Sequence, residues 1–103
     1  MIGAVHGFDW DDGNRDKCRQ HGVDVADIEA MFSGVVHIFP DAAHSQVETR
    51  FLAIGQTAAK RHVFMAFTLR HHEGKSLIRP ISARYMHAKE VKHYEAQTTQ
   101  SDK

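Results

Sequence analysis

The sequence has little of what holds small secreted proteins together. It contains a single cysteine, Cys18, among 103 residues, so no disulfide can form within the chain. Structural disulfides belong to oxidising compartments, and a lone thiol fits the reducing cytoplasm. Because Cys18 lies within a helical pattern, we expect an inert, packed thiol rather than a reactive one.

Long apolar segments are also absent. No segment approaches the roughly 20 apolar residues that a membrane-spanning helix needs. The N-terminal MIGAVHG lacks the basic region and the apolar stretch of a secretory signal. We therefore expect a cytoplasmic protein without membrane contact, folded as one domain over 1–103 with flexible ends at 1–7 and 97–103.

Nine histidines suggest a metal site, but their spacing argues against one. His71 and His72 would point to opposite faces of a strand, and His87 and His93 are six apart and would not align on a helix. Neither His-Glu-x-x-His nor Cys-x-x-Cys occurs, and a nucleophile elbow, a phosphate-binding glycine loop and paired catalytic carboxylates are missing too. We expect no metal and no cofactor.

The net charge is zero, yet the charges are segregated along the chain. Residues 1–49 carry 3 basic and 9 acidic side chains, whereas residues 50–103 carry 10 basic and 4 acidic ones. The basic second half could attract a polyanion while the acidic first half offers a complementary surface. Alternatively, folding interleaves the two halves and cancels the field.

The first third of the chain predicts one short strand and two helices. The strand is expected within Val5 to Trp10, and a mostly polar helix then ends at His21, where Gly22 suits a left-handed cap. Asp24 is the expected N-cap of a second helix that ends at Gly34. The apolar stripe of this second helix consists of Val25, Ile28 and Phe32.

The remainder predicts strands and a closing helix. Strands are expected at Val35 to Phe39, Phe51 to Gln56 and His62 to Arg70, with a polar loop at 41–48. A fourth strand carries Pro80, which has no N–H and therefore belongs at a sheet edge or a bulge. In the strand predicted at His62 to Arg70, one face is apolar: Val63, Met65, Phe67 and Leu69.

After Arg84, apolar residues recur at every third position instead of every second. Ala88, Val91 and Tyr94 form the stripe of an amphipathic helix that we expect to pack on the sheet. The fold class is therefore α+β, with two N-terminal helices, a roughly four-stranded antiparallel sheet and a C-terminal helix.

Four segments carry a recognisable combination of residues in a fixed order. They are Phe8-Asp9-Trp10-Asp11 with His21-Gly22-Val23; Arg50-Phe51-Leu52-Ala53-Ile54-Gly55; Thr68-Leu69-Arg70; and Arg79-Pro80-Ile81-Ser82-Ala83-Arg84-Tyr85-Met86-His87 with Lys89-Glu90-Val91 and Tyr94-Glu95. Together, over roughly residues 8 to 95, they resemble the BrnT-type toxins of bacterial toxin–antitoxin pairs. The resemblance implies a RelE-like fold, ribonuclease activity and a tightly bound antitoxin.

Cleaving RNA without metal requires a base for the 2′-hydroxyl, cations for the charge on phosphorus and an acid for the leaving oxygen. Arg70 and Arg84 are the expected catalytic cations, because both close strands at positions that match the family. Adjacent strands could bring both guanidinium groups to one phosphate. The alternative is structural ion pairs with Glu48, Glu73 or Glu90.

The proton-transfer groups are less constrained by the sequence. His21 is the first candidate, because imidazole titrates near neutral pH and its position matches the family's His-Gly pair, although a helix-end role explains it equally well. Lys17, one helical turn earlier, and Arg79 are predicted to bind RNA. Tyr94 is predicted to stack on a base or donate a proton, with packing in the core as the alternative.

A ribonuclease in its own cytoplasm needs an inhibitor. The resemblance implies a BrnA-like ribbon-helix-helix antitoxin, through which alone the pair would reach operator DNA, and it allows a homodimer within the complex. Lys89 and Lys92 are predicted to bind an acidic antitoxin segment. Exposed strand edges near Pro80 or Val35 to Phe39 could accept an added strand.

Two function classes follow. The first is a metal-independent endoribonuclease toxin that an antitoxin neutralises. The alternative is a non-catalytic regulatory module that binds nucleic acid or protein through the same basic edge. Cleavage of RNA in EDTA would support the toxin, and salt-sensitive binding without cleavage would support the module.

Overall fold

The elements follow one another in an order that places two helices before the main strands and one after them. The computed structural model describes residues 5–44 and 47–101. Its elements are β1 (Gly7–Phe8), α1 (Asp12–Arg19), α2 (Val25–Met31), β2 (His37–Pro40), a 3-10 turn (Ala42–His44), β3 (Arg50–Gln56), β4 (His62–His72), β5 (Lys75–Tyr85) and α3 (Ala88–Ser101). The predicted α+β class is confirmed.

The five strands form one sheet in the order β1-β5-β4-β3-β2. The expected antiparallel run from β2 to β5 is confirmed, but β1 adds a fifth strand that pairs parallel to β5, with Gly7 opposite Leu77. The sheet is therefore mixed. The two-residue strand is too short for any periodicity to show its direction.

The two faces of the sheet differ in the side chains that they carry. Val63, Met65 and Phe67 are fully buried and form the core with side chains of α1 and α2, namely Cys18, Ile28 and Met31. Leu69, the last member of the predicted stripe, is half-buried against the same core. The alternate side chains of the strands project from the other face, which we call the arginine face because Arg50, Arg70, Arg79 and Arg84 lie on it.

Pro80 does not open the sheet to solvent. It lies opposite Phe67, beside the irregular pairing between β4 and β5, and its side chain is fully buried. The expected bulge is confirmed. The expected access near Pro80 is wrong, because β5 is an inner strand between β1 and β4, whereas β2 is an edge strand as predicted.

The ends of the first two helices differ from the predicted ones by a few residues. A capping box starts α1, where the Asp11 carboxylate accepts from the N–H of Asn14 at 2.8 Å. The helix ends at Arg19, so His21 lies in the following turn, and Gly22 adopts the expected left-handed φ of +80°. Asp24 is the N-cap of α2, as predicted, although its side chain makes no capping hydrogen bond.

The C-terminal helix packs through fewer residues than its stripe suggested. Ala88 is exposed, whereas Val91 and Tyr94 are half-buried. Gly7 lies in β1, and α3 continues to Ser101, so both ends expected to be flexible are partly built into elements. The rest of those ends, 1–4 and 102–103, lies outside the described residues, as do positions 45–46 of the predicted loop. No helix of the described part is long and apolar enough to cross a membrane.

Candidate functional site

The arginine face carries its cations in a cross-strand arrangement. Arg50 on β3 lies opposite Thr68 on β4, and Thr68 lies opposite Arg79 on β5. Arg70 follows two positions along β4 on the same face, because side chains of a strand alternate. Three guanidinium groups therefore come from neighbouring positions at one end of the sheet.

Arg84 lies at the other end. It pairs with Phe64, whereas Arg70 pairs with Leu77, so the two positions are about 20 Å apart along β4 at roughly 3.3 Å per residue. The hypothesis that both arginines hold one phosphate is wrong. Each lies near the carboxyl end of its own strand, and in antiparallel strands those ends are at opposite ends of the sheet.

Each of the candidate arginines has a carboxylate partner. Arg70 contacts Glu48, and Arg84 donates two hydrogen bonds of 2.8 Å to the Glu90 carboxylate. The ion pairs weighed as the structural alternative are therefore present. All four side chains remain between 37% and 46% exposed, so an anionic ligand can reach them.

Folding also interleaves the acidic and basic halves of the chain. Arg79 lies 2.5 Å from the Asp11 carboxylate and 3.4 Å from that of Asp9. The hydrogen bond to Asp11 raises the pKa of Arg79 above its ordinary value. The contact of Arg70 with Glu48 also joins the halves, so the segregation seen in the sequence is partly cancelled in the fold.

The Arg84 pair anchors α3. Glu90 accepts from Arg84 and also from the backbone N–H of His87 at 2.9 Å, and the Arg84 guanidinium lies 5.1 Å from the centre of the Phe64 ring. The hydrogen bonds to Glu90, first of all those from Arg84 and then the one from the His87 N–H, lower the pKa of Glu90 to about 2. The first turn of α3 is thereby tied to β5.

We expect Glu90→Gln to remove a pH-dependent part of the stability. Because the folded pKa of Glu90 is about 2 and the ordinary value is 4.5, its ionised form stabilises the fold above the ordinary value, and this contribution is lost as pH falls towards the folded one. Thermal unfolding followed by circular dichroism from about pH 5 to 2.5 should therefore show a smaller fall in Tm for Glu90→Gln than for wild type.

The control is Asp16→Asn, which removes an exposed carboxylate of α1. The Tm of Asp16→Asn should fall with pH by the same amount as that of wild type. Equal falls for wild type and Glu90→Gln would contradict a stabilising role for the Arg84 pair.

A groove of ≈ 320 Å³ opens beside Arg70, and the segment before β3 forms one side of it. Its lining includes His44, Glu48 and Arg50. The His44 imidazole binds the Asp41 carboxylate through Nδ1 at 2.9 Å. An oriented imidazole, a carboxylate and the Arg50 guanidinium thus line one opening, and the Arg70 guanidinium contacts the same carboxylate. We call this opening the catalytic groove, after the role proposed for it below.

Backbone contacts hold this segment in place. The N–H of Asp41 donates to the carbonyl of Arg50 at 2.9 Å, which ties the loop to the edge of the sheet. The hydroxyl of Thr68 donates to the carbonyl of Thr49 at 2.8 Å. Thr68 is 3% exposed, so this bond holds Thr49, the residue before β3, against a buried part of the sheet.

His21 and Lys17 lie elsewhere. Both are exposed, Lys17 on α1 and His21 in the turn after it, and α1 covers the face of the sheet opposite to the arginines. Among the described residues, no hydrogen bond or ion pair joins either side chain to Arg70 or Arg84. The assignment of His21 as catalytic and of Lys17 as RNA-binding stays a prediction.

Tyr94 projects from α3 towards two histidines. Its hydroxyl shares a hydrogen bond with His37 Nδ1, and its ring centre lies 5.8 Å from that of His62. Burial, followed by the charge of Glu95, raises the pKa of Tyr94 above its ordinary value, which disfavours proton loss. The packing role weighed for Tyr94 is therefore present, and its ring still borders a cavity.

Sequence reasoning missed the catalytic groove. Asp41, His44 and Glu48 fall in a polar stretch without periodicity, which predicts only a loop. The available signal was the spacing of Asp41 and His44, three apart just after a strand, which suits a local carboxylate–imidazole contact. Their meeting with Arg70 depends on the β3–β4 register, which the sequence leaves open.

Comparison with known families supports the resemblance on independent grounds. The family model described as "Ribonuclease toxin, BrnT, of type II toxin-antitoxin system" matches residues 10–90, a range that contains the catalytic groove and all four arginines of the arginine face. Among curated proteins, none matches the chain. With most of its length matched, the chain belongs to the BrnT family of ribonuclease toxins of type II toxin–antitoxin systems.

Proposed function

We propose that this chain is a metal-independent endoribonuclease that cleaves RNA in the catalytic groove. The observation that carries the proposal is the His44 imidazole, held at 2.9 Å by Asp41, in the same groove as Glu48, which contacts Arg70. This set supplies two proton-transfer groups and, with Arg50, two cations. It meets the chemical needs of RNA transesterification without a metal ion.

Glu48 is the proposed base. A carboxylate accepts protons and hydrogen bonds but donates none when ionised, so it can take the proton of the 2′-hydroxyl as that oxygen attacks phosphorus. The guanidinium group of Arg70 lies at the same carboxylate and can turn to the incoming phosphate. The new bond joins O2′ to phosphorus, and the bond from phosphorus to O5′ breaks.

His44 is the proposed acid. Asp41 holds its Nδ1, which leaves Nε2 to donate a proton to the departing O5′. Arg50 and Arg70 stabilise the charge that builds on the phosphoryl oxygens. The products are a 2′,3′-cyclic phosphate and a 5′-hydroxyl, and no cofactor takes part.

Arg79 and Arg84 extend the cationic surface beyond the groove. Arg79 lies on β5 opposite Thr68 of β4, two strands from Arg50 on β3, and we assign it to binding the RNA backbone. Arg84 holds the first turn of α3 through Glu90. Because its position on β5 is far from Arg70, we assign it to binding a different phosphate of the RNA. Both must partly exchange carboxylate partners for phosphate, which is why binding should be sensitive to salt.

Neutralisation by an antitoxin is the second part of the proposal. The expected partner is a BrnA-like ribbon-helix-helix protein, whose DNA-binding part alone would contact operator DNA, and the toxin could pair as a homodimer within that complex. Lys89 and Lys92 are exposed on α3 and suit an acidic segment. The β2 edge can accept an added strand.

Charge reversal tests the antitoxin surface. Lys89→Glu and Lys92→Glu should each weaken the complex with the protein encoded next to this chain by about tenfold, chiefly through slower association. Biolayer interferometry at low and high salt measures both rates. Lys75→Glu, which reverses an exposed charge at the start of β5, is the control and should bind as wild type. Equal loss in all three variants would contradict a specific site on α3.

Expression in a growing cell tests the proposed function as a whole. Induction should stop growth and produce RNA fragments that end in cyclic phosphates, and co-expression of the adjacent partner should restore growth. The His44→Ala chain serves as the inactive control. Normal growth with intact RNA would favour the non-catalytic module.

A further inference from the structure

A second and larger cavity lies at the opposite end of the sheet, where β3 ends and β4 begins. Its volume is ≈ 560 Å³, within the range of small-molecule sites. Its wall includes the side chains of Val35, His37, Gln56, Lys60, His62 and Tyr94. We call it the tyrosine groove, and the proposed chemistry at the catalytic groove leaves it unused.

Three rings form one wall of the tyrosine groove. The Tyr94 ring centre lies 5.6 Å from that of His37 and 5.8 Å from that of His62, with interplanar angles of 61° and 70°. The hydrogen bond between His37 and Tyr94 fixes their relative orientation. Such a wall offers ring faces on which a flat base can stack.

Polar groups complete a site for one nucleotide. The Gln56 amide lies 3.1 Å from His62 Nε2, and an amide carries both donors and an acceptor with which to recognise a base edge. Lys60 is exposed at the rim, in the turn between β3 and β4, where its ammonium group can meet a phosphate. A base, a recognition group and a cation are the parts of a nucleotide subsite.

The two grooves are within reach of one RNA strand. His37 lies opposite Ile54, which is four positions from Arg50 on β3, a separation of about 13 Å along the strand. An extended single strand spans this distance with a few nucleotides. Phe64 and Ala66 of the arginine face are half-buried between the two ends and offer apolar contact along that path.

We propose that the tyrosine groove binds one nucleotide of single-stranded RNA a few positions from the cleaved phosphate, and that Gln56 helps to select its base. This inference rests on the proposed ribonuclease function, because the bound strand is the substrate of the catalytic groove. It assigns base preference to a site distinct from the cleavage machinery.

The first arm of the test measures binding without cleavage. The four nucleoside 5′-monophosphates are titrated into the full chain while the imidazole NMR signals of His37 and His62 are followed. At least one nucleotide should shift both signals and leave those of His93, exposed on α3, unchanged. Lys60→Ala should weaken binding of the nucleotide severalfold but not of the nucleoside, and Lys75→Ala should match wild type.

The second arm measures base preference. Sequencing of the fragments from a random RNA pool should show that Gln56→Leu alters the preferred base at one position by severalfold, while Gln20→Leu, which changes an exposed amide at the end of α1, keeps the wild-type pattern. A short RNA should also displace the mononucleotide from the histidine signals. Displacement by RNA separates a substrate site from a site for free nucleotides.

The outcomes separate the two proposals. Cleavage that continues with unmoved histidine signals and an unchanged pattern in Gln56→Leu would overturn the inference and leave the ribonuclease intact. Mononucleotide binding that RNA cannot displace would also overturn it. Absence of any cleavage by wild type would instead overturn the proposed function, and the histidine shifts would still report whether the groove takes a nucleotide.

Discussion

Arg70→Ala should lower RNA cleavage by about 10²- to 10³-fold, because a cation placed at the phosphoryl oxygens contributes far more to the transition state than to the fold. The Arg70–Glu48 contact joins two side chains that are 41% and 46% exposed. Such surface pairs contribute roughly 0–1 kcal/mol to stability. We therefore expect kcat to collapse while the unfolding midpoint stays near that of wild type.

Two comparisons show whether the loss is catalytic. Arg19→Ala removes an exposed arginine of α1 and should retain activity. Arg84→Ala should unfold at a lower temperature, because it breaks both bonds to Glu90 and frees the first turn of α3. Full activity in Arg70→Ala, or a melting temperature well below wild type, would mean that Arg70 is a structural partner of Glu48.

His44→Ala should cost about 10²- to 10⁴-fold in the cleavage of ordinary RNA, as expected for the loss of a general acid. The loss should shrink greatly with a uridine 3′-(4-nitrophenyl phosphate) substrate, because its leaving group departs without a proton. Glu48→Gln should be slow on both substrates, since the 2′-hydroxyl still needs a base. The ratio of rates on the two substrates therefore identifies the role of each group.

The same assay decides between two histidines. His21→Ala removes the imidazole that the family resemblance selects, in the turn after α1. If His44 is the acid, this variant should cleave both substrates at the wild-type rate. A large loss in His21→Ala with near-normal His44→Ala would instead restore the first assignment. His93→Ala, exposed on α3, controls for the removal of any histidine.

Regular patterns allowed much of the fold to be predicted. The alternation in β4 and the spacing of Val91 and Tyr94 in α3 reflect local periodicity, which acts over a few residues and is visible in the sequence. The parallel pairing of β1 was not visible, because two residues carry no period and their partner in β5 lies about 70 positions away. The capping box at Asp11 was a local signal that went unused.

The candidate site was harder to predict, because it depends on register. Arg70 and Arg84 both lie near strand ends, and only the antiparallel pairing separates them along β4. His44 and Glu48 come from a stretch without periodicity. Thr49, next to Glu48, is held in place by a hydrogen bond from the hydroxyl of the buried Thr68 to its carbonyl. Residue types suggested which chemistry to seek, while the pairing of strands determined which residues meet.

The most direct test of the central claim is incubation of the purified chain with single-stranded RNA in excess EDTA. We expect internal cleavage with 2′,3′-cyclic phosphate and 5′-hydroxyl ends, and we expect a 2′-deoxy sugar at the cleaved position to block it, because the attacking oxygen is then missing. Salt-sensitive binding without cleavage in EDTA, or cleavage that returns only with added magnesium, would contradict a metal-independent ribonuclease.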